Sequence, residues 1–267
     1  MADEDRAAEI EAALTTKQLG KPVRYYPFAV TTESLAIAWA RKEEGPEGAM
    51  IVANLELSPR QRKGPPWVPF PTGGLYFSVV LRPGLPPDGE GLLWLLASIG
   101  AAEGLAEITG LDAQVKWPDD IFVNGRKIGG IKIEAQLGPG EIVSAVVTGR
   151  FNINVAPEAF PPAISALATS VQAETGKPAD PDKILNSVLA GIERRYDDDV
   201  PVMLKAYSAK CETIGRKVRA MLMPKGEVAG TALGIDPFGA LLVDVGGKPV
   251  PVIIDTLRKL EPIQSQI

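Results

Sequence analysis

The chain has no histidine and a single cysteine, Cys211, in 267 residues. Without histidine there is no serine–histidine–aspartate or cysteine–histidine triad, no histidine-ligated zinc and no imidazole base. One cysteine excludes an internal disulfide and a thiolate-rich metal or iron–sulfur site, and suits a reducing cytoplasm. Basic charge is also in deficit: 28 Lys and Arg stand against 33 Asp and Glu, a net charge of −5, with no basic domain of the kind duplex-DNA binders carry. Long apolar runs are missing too. The longest uncharged one, Gly91 to Ala102, is twelve residues, short of the ~20 a membrane span requires. The start, MADEDRAAEIEAAL, is acidic and has no signal-peptide pattern. A cytoplasmic protein that binds neither nucleic acid nor membrane is expected.

What the chain does have is 27 glycines and 24 prolines, which predicts many turns and short elements. Asp3–Leu14 reads as a short helix with its acids in the first turns. Strand-like alternation covers Ala49–Leu55 and Leu75–Leu81, with Pro59, Pro65, Pro66, Pro69 and Pro71 between them. Gly91–Thr109 predicts a buried helix closed by Gly110. Gln114–Trp117, the turn Pro118-Asp119-Asp120, Ile121–Val123, the hairpin signal Asn124-Gly125 and Lys127–Ala135 follow. A longer strand is expected over Ile142–Val155, a break at Pro157–Pro162, and a helix over Asp182–Tyr196 behind Asp180-Pro181. Arg194-Arg195 and Asp197-Asp198-Asp199 read as its solvated end. From Ile214 onward short strands alternate with turns, a small all-β module. The fold class is α+β: a mixed sheet with flanking helices over 1–209, then a small C-terminal all-β domain over 210–267.

The densest run of chemistry-bearing residues is Lys116-Trp117-Pro118-Asp119-Asp120-Ile121 with Gly125-Arg126-Lys127-Ile128-Gly129-Gly130-Ile131-Lys132-Ile133-Glu134. A hairpin accounts for Asn124-Gly125, and packing for the isoleucines. Lys116 before Trp-Pro and two adjacent glycines inside a strand need another reason, since a strand glycine often marks close approach of a ligand or of another backbone.

This run resembles the biotin–protein ligase signature KWPND…GRKxGGILxE. The flanks follow in order: Thr31-Thr32-Glu33-Ser34, Trp67 through Leu75-Tyr76-Phe77-Ser78, Asn152-Ile153-Asn154-Val155, and Gly215-Arg216-Lys217-Val218 with Gly234-Ile235-Asp236 in an SH3-like C-terminal module. The resemblance to the biotin/lipoate A/B protein ligase family implies a class II synthetase-like catalytic domain. It also implies activation of a vitamin-type acid, biotin first, by ATP with Mg²⁺, and transfer to a lysine of a biotin- or lipoyl-carrier domain. Neither step needs a histidine, but both need cations where charge builds up. The resemblance implies catalytic roles for Lys116, at the acid carboxylate and α-phosphate, and for Arg60 and Arg62. It implies acyl contacts from Thr31, Thr32, Glu56, Trp67, Gly129, Gly130 and Ile131, and nucleotide contacts from Lys63, Trp117, Asn152 and Asn154. For Asp119 or Asp120 three roles are open: holding Mg²⁺ through water, accepting a proton from the incoming lysine, or capping the backbone of their own turn. A homodimer through an exposed sheet edge is a further expectation.

Several positions depart from the pattern. Pro59-Arg60-Gln61-Arg62-Lys63-Gly64 stands where the family has GRGRRG; Glu56 replaces a Gln, Glu33 an Asn, and Arg150 and Asn152 the glycines of a GxGIN strand. Pairing of Arg150 with Glu56 or Glu33 is one expectation, and receipt of an acidic ligand group by Arg150 is another. A lipoate or octanoate ligase, and a paralogue that only binds ligand or carrier, remain alternatives. Cys211, far from these motifs, is not expected to act as an acyl-enzyme nucleophile.

Overall fold

A computed structural model describes residues 3–42, 45–59, 67–70 and 72–263. Arg60, Arg62 and Lys63, the loop cations expected at the site, lie outside the described residues. A seven-stranded mixed sheet has the order β1-β2-β3-β7-β6-β5-β4, formed by β1 (Val23–Ala29), β2 (Met50–Glu56), β3 (Gly74–Leu81), β4 (Gln114–Lys116), β5 (Asp120–Val123), β6 (Arg126–Leu137) and β7 (Ile142–Asn152). β1 and β2 pair parallel; every other neighbour is antiparallel. The hairpin between β5 and β6 turns on Asn124 and Gly125, both at positive φ (51° and 73°), the conformation a two-residue turn of this hand demands.

One face of the sheet carries Leu75, Phe77, Val79, Leu81, Val147 and Phe151 onto α3 (Glu90–Thr109) and α5 (Pro181–Tyr196). α3 is buried nearly all round. By length and composition the segment Pro87–Thr109 could cross a membrane, but 72% of its apolar window is packed inside the fold, as a core helix requires. The two helices approach closely because of glycine: a Cβ on Gly100 would come 2.6 Å from the carbonyl oxygen of Gly191, and one on Gly104 2.1 Å from that of Ser187. The crossing is also tied electrostatically. Arg195, expected to be solvated, is three-quarters or more buried and bidentate to Glu103 of α3 at 2.6 and 2.8 Å.

The opposite face is half covered. α2 (Thr32–Arg41) lays Ala36, Trp39 and Ala40 on Ile51, Val80 and Val146, and beside it the face stays open. α1 (Asp3–Ala13), α4 (Val171–Thr175) and α6 (Val200–Lys210) complete the helices, and a second sheet, β8 (Lys217–Leu222) to β12 (Leu257–Pro262), has the order β11-β10-β9-β8-β12 with β9 (Glu227–Ile235), β10 (Leu241–Val245) and β11 (Lys248–Val252). This arrangement is the expected α+β class. The long strand expected to Val155 ends at Asn152, where the chain turns to pair Asn154 with Gly73.

Trp117 joins the two sheets. Its ring is 1% exposed, its Nε1 donates to the Gly239 carbonyl at 3.1 Å, and its backbone N–H donates to Thr213 Oγ1 at 3.0 Å. Next to it, the Tyr207 hydroxyl donates to the Pro118 carbonyl at 3.1 Å.

Candidate active site

Side-chain alternation sets the open face. In register across the sheet, Asp120 stands opposite Gly130, Gly130 opposite Arg150, and Arg150 opposite Tyr76. Residues opposed in this way share a face. Between them lies a cleft lined by Trp67, Asp119, Asp120, Lys127, Gly130, Ile131, Lys132 and Arg150. Gly130 leaves its floor low: a Cβ there would meet nothing closer than 3.4 Å. Gly129 points to the other face, where a Cβ would lie 2.3 Å from Phe151 Cδ1. The two strand glycines thus have different packing causes, Gly129 leaving room for the Phe151 ring and Gly130 for the cleft.

The cleft is rich in paired charge. Lys127 Nζ pairs with Asp120 and sits 5.4 Å from the centre of the Trp67 ring. Lys132 pairs with Glu33, and lies 3.5 Å from Glu134. Arg150 Nε donates to Glu56 Oε2 at 2.6 Å, and its Nη2 is 3.9 Å from Glu33 Oε2. Glu56 is fully buried, and its other oxygen accepts from the backbone N–H of Thr32 at 2.6 Å and from the Thr32 hydroxyl at 2.7 Å. Each hydroxyl has one proton to give. With the Thr32 proton committed to the carboxylate, Thr32 accepts from Ser78 (2.8 Å) and Ser78 from Thr148 (2.7 Å), a directed chain across three strands. Of the two partners expected for Arg150, both are present, Glu56 closely.

Several residues expected at the site have structural occupations. Thr31 caps α2, accepting from Ser34 N at 3.1 Å. The Asn154 amide is satisfied on both sides by Ala179, giving to its carbonyl and accepting from its N–H at 2.8 Å each. Asn152 Nδ2 donates to the Thr169 carbonyl at 3.0 Å, while its buried Oδ1 has no donor among the described residues. A nucleotide contact by Trp117 would require opening the joint it holds. Cys211 is buried and burial pushes its thiol up, against a thiolate nucleophile.

Lys116 is not among the residues lining the cleft. Its Nζ lies 5.7 Å from the centre of the Phe122 ring and faces a separate depression of about 160 Å³ with Glu212, Arg216 and Leu260. Among the described residues three cations line the cleft, Lys127, Lys132 and Arg150; of Lys116 and Lys127, on the two strands that flank β5, only Lys127 is among them. Register does not separate Lys116 from Lys127, because Asp120 opposes Lys116 and Phe122 opposes Lys127, which puts both on the face of Asp120; the ion pair with Asp120 sets Lys127 apart. The backbone of Lys127 also holds the segment after β7, with its N–H on the Leu167 carbonyl and its carbonyl on Thr169 N at 2.8 and 2.9 Å. A larger cavity, about 380 Å³, lies elsewhere, between the start of α3 and the second sheet. No residue of the Lys116–Glu134 run lines it.

Residues 31–152 match the Biotin/lipoate A/B protein ligase family and residues 213–256 the Biotin protein ligase C terminal domain. The Bifunctional ligase/repressor BirA of Bacillus subtilis is 31% identical over 242 residues, covering 89% of this chain and 74% of that protein. The chain belongs to the biotin/lipoate A/B protein ligase family. Other members include the Biotin--[acetyl-CoA-carboxylase] ligase of Mycobacterium tuberculosis, 29% identical over 77% of each chain. The fold is shared with the biotin protein ligase from Aquifex aeolicus solved in complex with biotin and ATP, at TM-score 0.75 and 24% identity, covering 91% of this chain and all of that one.

Proposed function

We propose that the protein is an ATP-dependent biotin–protein ligase, with 1–209 as its catalytic domain and 210–267 as its C-terminal domain. A carboxylate oxygen of biotin attacks the α-phosphorus of ATP and pyrophosphate leaves. The ε-amine of a lysine on a biotin carboxyl-carrier domain then attacks the acyl carbon, and AMP leaves with the bonding electrons.

The observation that carries this reading is the position of Lys127: a cation over an indole ring, held by Asp120, above a floor made by Gly130 and Ile131. A cation so fixed stabilises the charge that accumulates between carboxylate and α-phosphate, without reorganising as the charge develops. We assign to Lys127 the role that the signature alone suggested for Lys116. Trp67 shields the cleft from water, which protects the mixed anhydride and strengthens the electrostatics. Asp119 and Asp120 suit Mg²⁺, which takes one or two carboxylates, water and substrate phosphates rather than a full protein cage. No cluster of three metal-ligating side chains exists among the described residues. The ion would neutralise phosphate charge.

ATP–pyrophosphate exchange dependent on an added acid tests the proposal. Exchange with biotin, and none with lipoate or octanoate, is expected. Exchange with lipoate or octanoate alone transfers the reading to that acid, and none with any of the three by folded protein refutes ligase activity.

A further inference from the structure

We infer that Arg150 is a specificity-determining residue whose guanidinium, held by Glu56 and Glu33, fills the inner end of the acid site, so that the Arg150–Glu56 pair separates before a fused-ring acid seats. The inference rests on the ligase reading above.

Space is the first argument. The cleft has a free volume of about 20 Å³, little more than the ~10–15 Å³ that one water needs on the same kind of measure. Arg150 stands on the cleft face directly across from Gly130, lines the cleft, and has a side chain only 5% exposed. From there the side chain runs across β3 to Glu56 and Glu33, so its guanidinium takes up space on the cleft face that the family's glycine at this position would leave empty.

Charge is the second. Two carboxylates, Glu33 and Glu56, face two cations, Lys132 and Arg150, and each cation is within ion-pair distance of an acid. The group is neutral as it stands. A subsite built for a second acidic group on the ligand would carry surplus positive charge, and this one carries none. Glu56 in turn accepts from three donors, the Thr32 N–H, the Thr32 hydroxyl and Arg150, and so is committed to the protein rather than to a ligand.

Coupling is the third. Residues 56 and 150 add one charge of each sign in contact at 2.6 Å, both buried. Either charge without the other would be a buried ion without its counter-charge, which proteins tolerate poorly. The two substitutions relative to the Gln and Gly of the family pattern are therefore one change, and reversing both together leaves no orphan charge.

The test is equilibrium dialysis with biotin on three full-length proteins: wild type, the double variant Glu56→Gln/Arg150→Gly, and the double variant Glu56→Gln/Arg150→Met. The glycine variant empties the space; the methionine variant removes the charge and keeps much of the bulk. Biotin should bind the glycine variant at least tenfold more tightly than wild type, and the methionine variant no more tightly than wild type. Equal or weaker binding by a folded glycine variant overturns the inference, as does an equal gain in the methionine variant. Should the glycine variant not fold, the wild type crystallised with biotin decides: Arg150 swung away from Glu56 supports the inference, and biotin bound beside an intact pair overturns it. Pyrophosphate exchange on the same proteins separates the two readings. Exchange with biotin at unchanged biotin affinity sinks only the role of Arg150, whereas tighter biotin binding without exchange sinks only the ligase reaction.

Discussion

The indole N–H of Trp117 donates to the carbonyl of Gly239 at 3.1 Å, fastening the signature strand to the second sheet. The contact recurs in the packing around it: Gly91 of α3 has no room for a Cβ because the Phe238 carbonyl would lie 2.2 Å away. Trp117→Phe keeps most of the buried ring and strands the Gly239 carbonyl. The expected loss is about 1–3 kcal/mol in urea unfolding, the cost of an unmade buried hydrogen bond. The KM for ATP should stay within twofold of wild type. A large rise in that KM at unchanged stability would return Trp117 to the nucleotide.

Gly129 and Gly130 are adjacent in sequence and opposite in consequence. Gly129→Ala drives a methyl into Phe151 and should cost about 1–3 kcal/mol, as overpacked cores do, with a lower melting temperature. Gly130→Ala meets only ordinary contacts, at 3.4 Å and beyond. It should melt with wild type and raise the KM for the acid severalfold, because its methyl stands on the cleft floor. Thermal melts and exchange kinetics on the two variants read both effects.

Acid sensitivity should concentrate on Glu193. Burial alone would raise its carboxyl, but the backbone N–H groups of Leu19, Lys17 and Gln18, at 2.9, 2.8 and 2.8 Å, outweigh burial and hold it below the ordinary glutamate value. The resulting stabilisation is complete above the unfolded value near ~4.3 and is lost as pH falls through the lower folded value. Urea unfolding from about pH 7 down to pH 3 should show wild type losing stability relative to Glu193→Gln below roughly pH 5. A constant difference between the two at every pH would contradict this role.

How far the sequence carried depends on the element. The helix α3, the Asn124-Gly125 hairpin and the turn-punctuated strands of the second sheet were legible because periodicity and glycine placement agree there. α2 was read only as a motif. Its first residues look polar, and Thr31 reveals itself as a cap only through the contact with Ser34 N. α6 was hidden by Pro201, which reads as a breaker and sits in the helix's first turn, where a missing N–H is harmless. Arg195 looked solvated because no pattern within α5 points to Glu103, 92 residues away. At the site, the signature pointed to the hairpin that borders the cleft, and it is Lys127 rather than Lys116 that lines it. Lys116 and Lys127 both face outward, and the choice between them turns on where the long side chains lean, which register alone leaves open.

The central claim is that acid activation takes place around Lys127, and biotin-dependent ATP–pyrophosphate exchange by Lys127→Ala and Lys116→Ala tests it most directly. Loss of a fixed cation at the developing charge should lower the rate of Lys127→Ala by about 10²–10³-fold, in line with the removal of an oxyanion donor, while Lys116→Ala stays within a few-fold of wild type. A folded Lys127→Ala that exchanges at the wild-type rate, or a collapse confined to Lys116→Ala, would contradict the account.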